Sequence, residues 1–592
     1  MKILPAPINT TPGDFDGNFN LIKEKIEDAN ENKCKMVVFP ELTIPGYLSC
    51  DMMFRKNYVK NNLETLQNIA KLSSIHSDIY IVVGYIDRNN SGIGKPFHNC
   101  LAVIHNGAVI GTYQKHLLPF YDVFDEGRYY EPGTNYLVLD IEGQRFGFTI
   151  CEDIWNDKGQ DDYNYRDNPV RYYLEQAKVD FLVNISSSPY CDGKTDIKRQ
   201  ILKNIANVGF DSQVPYRTGI IYVNQFGGQD ELVFNGDCYC IVNGYMREYS
   251  PLMKTDDVIF DTSPEFIRRY QSNVISNVDE FFDMVVLGLR DYIQKTGFKE
   301  VVLGSSGGID SAVVLALACE AIGAENVTAI MMPSIYSSES STIDAKSLHS
   351  AYGCKEFNVP IEHVELLHKF NTGLGFERKY HSNPGLANGS IQYEELVEYN
   401  RVADENIQAR LRGMVVMHYS NATGAIPLTT GNKTENAVGY CTLYGDMNGG
   451  FNPIKDLYKT QVFDLARYIN KKYGKEMIPD SIINKPPTAE LRPDQTDESS
   501  LLPYKLLDSI VQEYIENYIN TFDEYIKLSG KEELISENIS MDNAEKEYER
   551  IIRLIDIAEY KRRQTAPGVK VSRIAFGTGR RLPIVARKGV NG

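Results

Sequence analysis

The stretch Val301-Val302-Leu303-Gly304-Ser305-Ser306-Gly307-Gly308-Ile309-Asp310-Ser311 decides the reading of this 592-residue chain. Its three leading apolar residues read as the end of a buried parallel strand, and AVVLALACEAI over 312–322 reads as a helix buried on most of its surface. A turn of small residues joins the two. Strand, turn and helix N-terminus together present converging backbone N–H groups and the positive end of a helix dipole, which cradles phosphate. Gly307 and Gly308 allow close approach of backbone to a ligand, Ser306 and Ser311 add hydroxyl donors, and Asp310 is a hard oxygen ligand suited to Mg²⁺. The turn lacks the Lys of a GxxxxGK[ST] loop, which argues against a kinase-like cradle. A glycine-rich turn that only packs a helix on a strand is the plain alternative, and the strand–helix context weighs against it.

The rest of the chain bounds what such a loop can serve. At 592 residues, two to four domains are expected. Hydrophobic content of 42% and charged content of 24% are those of a soluble globular protein. No apolar run approaches membrane-spanning length, and the start MKILPAPIN lacks the basic region and apolar core of a secretory signal. The 10 cysteines form no CxxC pair, so neither a zinc site nor a disulfide framework is expected, and a cytoplasmic protein is. The net charge of −17 argues against a broad nucleic-acid footprint.

From the start to about residue 261, apolar runs at 36–39, 79–83, 100–104, 181–185 and 220–223 read as buried strands, with amphipathic helices at 21–32 and 62–74. This predicts a layered α/β domain over 1–262. Three of its strand ends carry reactive side chains: Glu41 in FPELTIPGY, Lys115 in YQKHLLPFY, and Cys151, which opens CEDIW. Each alone reads as a core thiol, a solvated tip or a surface charge. All three at strand ends point to one site, because α/β sheets place their chemistry there. A thiolate attacks a carboxamide carbon, a carboxylate relays the proton, and an ammonium stabilises the tetrahedral oxyanion. Desolvation would raise the carboxylate's pKa toward neutrality, as proton cycling needs.

The pattern weakens between residues 261 and 276, the expected connection to a second domain over 263–592. Asn277 and Glu280 have the spacing of a capping box, and an apolar face from Val278 to Ile293 runs until Gly297. Strands at 327–332, 356–359 and 425–428, alternating with helices near 342–352 and 362–371, complete a doubly wound pattern. The polar stretch 373–394 reads as an irregular loop over a site. A helix over 403–419 is expected to bury Ile407, Leu411, Met414 and Val415, with Asn406 and Arg410 one turn apart, placed either to point at a common ligand or to form part of a solvated face. After the last strand comes TTGNKTE, in which Thr430 can meet a nucleotide and Glu435 can share a metal with Asp310.

The opening loop resembles the SGGxDS loop of the N-type ATP pyrophosphatases, which split ATP into AMP and pyrophosphate. The words around Glu41, Lys115 and Cys151 resemble the nitrilase (carbon–nitrogen hydrolase) family and its Glu–Lys–Cys site, a resemblance that implies an α-β-β-α sandwich. By it Tyr121, Ser188 and Lys194 hold a glutamine substrate. The start LPAPIN departs from the plainer strand of such relatives, and Trp155 reads as packing. The words ENIQARLRG, TTGNKTENAVGY, TLYGDMNGG, KPPTAELRPDQTDE and EYKRRQTAPGVKV resemble the family of glutamine-dependent NAD⁺ synthetases. With the first half included, that resemblance covers nearly the whole chain.

It implies that Gly304, Ser305, Ser306, Gly307, Gly308, Ile309, Asp310, Ser311, Thr430, Lys459 and Thr488 contact ATP. Asp310 and Glu435 hold Mg²⁺, and Asn406, Glu435 and Lys561 contact deamido-NAD⁺. Leu443 stands where ammonia-dependent relatives carry Lys, so that contact does not transfer. The basic run at 561–581 is explained on this view by the dianionic dinucleotide, whose site in relatives lies at a subunit interface. A homo-oligomer, dimeric or larger, is implied. The expected activity joins L-glutamine hydrolysis to adenylation and amidation of deamido-NAD⁺, with ammonia passed between the domains. An amidase-fed ligase with another acceptor, and a non-catalytic nucleotide-binding protein, are the rival classes.

Overall fold

A computed structural model of the chain describes residues 1–156, 165–207, 218–253, 258–263, 277–380, 392–395, 400, 402–493, 495, 501–530, 534 and 541–586. It divides into two compact units, Met1–Tyr292 and Ile293–Gly592. Most of the connection expected at 261–276 lies outside the described residues.

The first unit is built on two 6-stranded sheets. In one, Lys2–Pro5, Met36–Val38 and Tyr80–Arg88 run parallel, and Phe97–His105 and Ala108–Gln114 extend the sheet antiparallel. In the other, Gln144–Ile150, Phe181–Ser186 and Gly219–Asn224 form the parallel centre. Residues from both sheets meet in one apolar layer that includes Val38, Val82, Val103, Phe148, Val183 and Ile221. The helices Phe15–Glu31 and Tyr58–Ser73 cover the outer face of the first sheet, with Ile22, Ile26, Leu66 and Ile69 buried on it. Ile201, Leu202 and Ile205 of the helix Lys194–Asn207 cover the second. This is the α-β-β-α sandwich. The LPAPIN start ends the strand Lys2–Pro5, second from the edge of its sheet, and then leaves the sheet, where Asn9 Nδ2 donates to Asp291 at 2.7 Å.

The second unit centres on a 4-stranded parallel sheet in the order Lys355–Asn358, Val327–Met331, Val301–Gly304, Ile426–Leu428. Strand order reverses between Val301–Gly304 and Ile426–Leu428, the switch point at which doubly wound sheets bind ligands. The helix Ile309–Ile322 is buried along nearly its whole length, as the run 312–322 requires. The C-terminal helices Tyr504–Glu516 and Met541–Ile557 pack on each other through Leu507, Val511, Tyr548 and Ile552.

Four expectations are corrected. The stretch 373–394 contains an antiparallel strand pair, Glu377–Tyr380 with Gln392–Glu395, and 381–391 lie outside the described residues. Asn277 is already within the helix Asn277–Thr296, and Glu280 accepts Asn235 Nδ2 at 2.9 Å. In the helix Val402–Thr423 the buried residues are Gln408, Ala409, Gly413 and Val416, while Met414 is exposed. Close packing decides this: a Cβ on Gly413 would stand 3.0 Å from Gly445 O, and one on Gly445 would stand 2.8 Å from Ala409 Cβ. Small residues face inward because backbone lies against them. In the basic run, Arg562, Lys570 and Arg580 are buried, with Arg562 and Lys570 donating to backbone carbonyls. Arg562 and Lys570 serve the fold.

Candidate active sites

In the first unit, Glu41, Lys115 and Cys151 come from three strand ends and are all buried. Lys115 Nζ donates to Glu41 Oε1 at 2.7 Å and to both oxygens of Glu126, at 2.7 and 2.9 Å. Glu41 is held further by Asn99 Nδ2 at 2.7 Å and by Ser187 N at 2.9 Å. Burial works against the Lys115 ammonium, but Glu126 and Glu41 outweigh it, and its pKa is raised well above the usual lysine range. Burial pushes the Glu126 carboxyl up to about 8, against the pull of Lys115. Sequence reasoning missed Glu126. It sits in a mixed loop word, DVFDEGRYY, with no period to single it out.

The nucleophile turn is strained and pinned. Cys151 has φ of +41°, a left-handed conformation that a non-glycine residue adopts at a cost. Asp153 holds the turn: its carboxylate accepts Ile150 N at 2.9 Å, Tyr113 Oη at 2.8 Å, His116 N at 3.1 Å and Leu117 N at 2.9 Å. One buried carboxylate thus ties the Cys151 turn to the strand end that carries Lys115. Burial, with Glu41 adding to it, raises the Cys151 thiol pKa, so the resting sulfur is protonated and needs a base. Two residues of the turn reach the expected glutamine contacts. Glu152 accepts the Tyr121 hydroxyl at 3.0 and 2.9 Å and the Tyr165 hydroxyl at 3.0 Å. Lys194 Nζ lies 5.6 Å over the Trp155 ring and donates to Pro189 O at 3.2 Å. Ser188 is buried and exchanges hydrogen bonds with Asn224 at 2.8 and 3.0 Å. Glu152 was also missed, although its place beside Cys151 was a usable signal.

In the second unit, residues from widely separated words line one cavity of about 630 Å³. All eight residues from Gly304 to Ser311 line it, as do Thr430, Lys459 and Thr488, and Asn406, Glu435 and Lys561. Gly307 has φ of +77°, and a Cβ there would fall 2.2 Å from Ser341 O. Lys459 Nζ pairs with both Asp310 and Glu435. Burial works against that ammonium, but the two carboxylates hold it above the usual lysine range. Asn432 caps the helix Lys433–Val438 that carries Glu435, and its Nδ2 donates to Asp310 Oδ1 at 3.0 Å. Two carboxylates converging on one cation are a donor set that suits Mg²⁺, which takes one or two carboxylates and completes its shell with phosphate oxygens and water. Lys561 Nζ donates to the carbonyls of Gly439 and Cys441, each at 2.7 Å. Arg410 does not line the cavity, and its Nε donates to Leu443 O at 3.2 Å.

The carbon-nitrogen hydrolase family profile matches residues 5–242, and the NAD synthase profile matches 281–565. The chain is 36% identical to the glutamine-dependent NAD(+) synthetase of Thermotoga maritima, over 99% of each chain. It is 36% identical to that of Acinetobacter baylyi, covering 99% of this chain and 98% of the relative. The chain belongs to the glutamine-dependent NAD(+) synthetase family. A solved family structure, from Acinetobacter baumannii in complex with ADP, is 34% identical with a TM-score of 0.69, covering 99% of this chain and 98% of that one. The Cytophaga hutchinsonii glutamine-dependent NAD(+) synthetase, at 21% identity over 99% and 98%, shares the fold with a TM-score of 0.77. As a member of this family, a ligase family, the chain uses ATP as a substrate.

Proposed function

We propose that the chain converts deamido-NAD⁺, ATP, L-glutamine and water to NAD⁺, AMP, pyrophosphate and L-glutamate. Glu41 takes the proton of the Cys151 thiol as the sulfur attacks the glutamine carboxamide, and returns it to the departing ammonia. The Lys115 ammonium, held in charge by its two carboxylates, stabilises the tetrahedral oxyanion. Water then hydrolyses the thioester. Glu152, backed by Tyr121 and Tyr165, is a carboxylate suited to the α-ammonium of glutamine, with Ser188 and Lys194 on the α-carboxylate side.

In the second unit the nicotinate carboxylate attacks the α-phosphorus of ATP. Pyrophosphate stays on the loop amides and hydroxyls of Ser306, Gly308 and Ser311. Asp310 and Glu435 would hold Mg²⁺, which supplies neutralising charge for the pyrophosphate. Thr430, Lys459 and Thr488 contact ATP, and Asn406 and Lys561 contact the dinucleotide. Ammonia attacks the adenylated carboxyl carbon, AMP leaves, and the nitrogen loses a proton. Ammonia released to neutral water would be protonated and lose its lone pair, so transfer is sheltered. Its surroundings are the cytoplasm, its domains divide at 262/263, and its working form is a homo-oligomer.

The observation that carries this proposal is the convergence of residues 304–311, 406, 430, 435, 459, 488 and 561 on one cavity of about 630 Å³. That volume is in the range of small-molecule sites. The test is formation of AMP and NAD⁺ from deamido-NAD⁺, ATP and glutamine, beside a panel of other carboxylate acceptors. Deamido-NAD⁺ should be clearly preferred. Faster AMP release with another acceptor would sink the assignment.

A further inference from the structure

Among the described residues, one guanidinium lining the cavity of the second unit has donors that no other group takes up. Of the basic residues lining it, Lys459 is paired with Asp310 and Glu435, Lys485 with Glu490 at 3.0 Å, and Arg492 with Glu405 at 3.5 Å. Lys561 donates to two backbone carbonyls. Arg412 differs. Its Nε donates to Met332 O at 3.0 Å, and its two Nη groups have no partner among the described residues. The carboxylate acting on it, Glu490, is already bonded by Lys485, Ser338 and Ser341. A half-buried guanidinium with two free parallel donors, facing a ligand cavity, is a fork shaped for a phosphate or carboxylate edge.

Its place on the helix Val402–Thr423 selects the ligand. At 3.6 residues per turn, Arg412 and Asn406 stand about 120° apart, at opposite edges of the cavity-lining stripe. Asn406 accepts the Thr442 hydroxyl at 2.7 Å, on the side of the 442–448 loop. Arg412 faces the ends of the parallel strands: Met332 follows Val327–Met331, and Val416, one turn on from Arg412, lies within 4.0 Å of a Cβ built on Gly304. Arg412 is therefore beside the start of the phosphate loop and away from the edge assigned to the dinucleotide.

We infer that Arg412 binds the α-phosphoryl group of ATP and stabilises its displacement, an inference that rests on the proposed synthetase reaction. In that step a carboxylate oxygen–phosphorus bond forms, the bond from the α-phosphorus to the bridging oxygen breaks, and pyrophosphate leaves with the electron pair. No proton moves, and Arg412 stays charged. The entering and leaving oxygens lie on opposite sides of phosphorus. The non-bridging oxygens project sideways, where charge accumulates and a bidentate donor can follow it.

The test uses the full chain in ammonia-dependent synthesis, with wild type, Arg412→Lys and Arg412→Gln. Arg412→Gln should lower kcat by about a hundredfold or more, with KM for deamido-NAD⁺ nearly unchanged and Arg412→Lys between the two. Both variants should also lose part of the wild-type preference between the two diastereomers of ATPαS, which a merely structural role would not move. Wild-type kcat and diastereomer preference in Arg412→Gln would overturn the inference, as would a loss confined to KM for deamido-NAD⁺. If Arg412→Gln does not fold, judged by melting temperature and glutaminase activity, the diastereomer ratio of Arg412→Lys decides. A wild-type chain that releases no AMP with deamido-NAD⁺ sinks the synthetase reading itself. An active wild type with unaffected variants sinks only the role of Arg412.

Discussion

At the scale of single residues, the glutaminase site is a buried charge cluster. Lys115 joins two carboxylates, and burial disfavours leaving both ionised. Lys115→Ala should cut glutaminase kcat by about a hundredfold or more, the usual cost of losing one oxyanion donor. It would also leave Glu41 and Glu126 facing each other without a cation. Glu126 gives a pH signature. Its carboxyl is raised from 4.5 to about 8 on folding, so the folded chain keeps a proton that the unfolded chain releases. That stabilising contribution is complete below 4.5 and is lost as pH rises through about 8. Glu126→Gln should flatten the fall in melting temperature across that window. Identical slopes in variant and wild type would show that Glu126 does not carry the linkage. Neither partner of this cluster beyond the motif words was legible in the sequence, because Asn99 and Glu126 are brought to Lys115 by sheet pairing and a loop return.

At the scale of elements, two turns bear the chemistry. The Cys151–Ile154 turn depends on Asp153, which accepts four hydrogen bonds from two segments. Asp153→Ala leaves buried N–H groups unsatisfied and should destabilise the first unit by about 3 kcal/mol. Glutaminase should fall with it while ammonia-dependent synthesis persists, measured by denaturant unfolding and by the two assays in parallel. The phosphate turn depends on Gly307. Gly307→Ala combines a left-handed backbone with a clash against Ser341 O, so AMP formation should collapse with glutaminase unchanged. The helix Val402–Thr423 teaches the opposite lesson about periodicity. Apolar spacing selects Met414 as an inward residue, yet Ala409 and Gly413 face in because the 444–445 backbone lies against them. Hydrophobic patterning reports what avoids water, not what fits a close backbone approach.

At the scale of the whole molecule, the two units should be separable by function. Cys151→Ala is expected to abolish glutamine-dependent synthesis and to retain the ammonia-dependent reaction. Loss of both would contradict the division of labour. Sheltered transfer predicts that ¹⁵N-ammonium in the medium enters NAD⁺ poorly while unlabelled glutamine is turning over. Equal incorporation at matched concentrations would exclude it. The sequence by itself determined the α/β class of both halves, the phosphate loop and the three catalytic words, because each is a local run of chain whose chemistry depends on its own composition and its place after a strand. Only the tertiary structure decided which distant groups complete those words. Glu126 beside Lys115, Asp153 across two strand ends, Lys459 between Asp310 and Glu435, and Arg412 on the carbonyl of Met332 all follow from contacts between segments far apart in the chain. Such contacts set charge state and hydrogen-bond satisfaction, and these depend on burial and neighbours that no local pattern encodes.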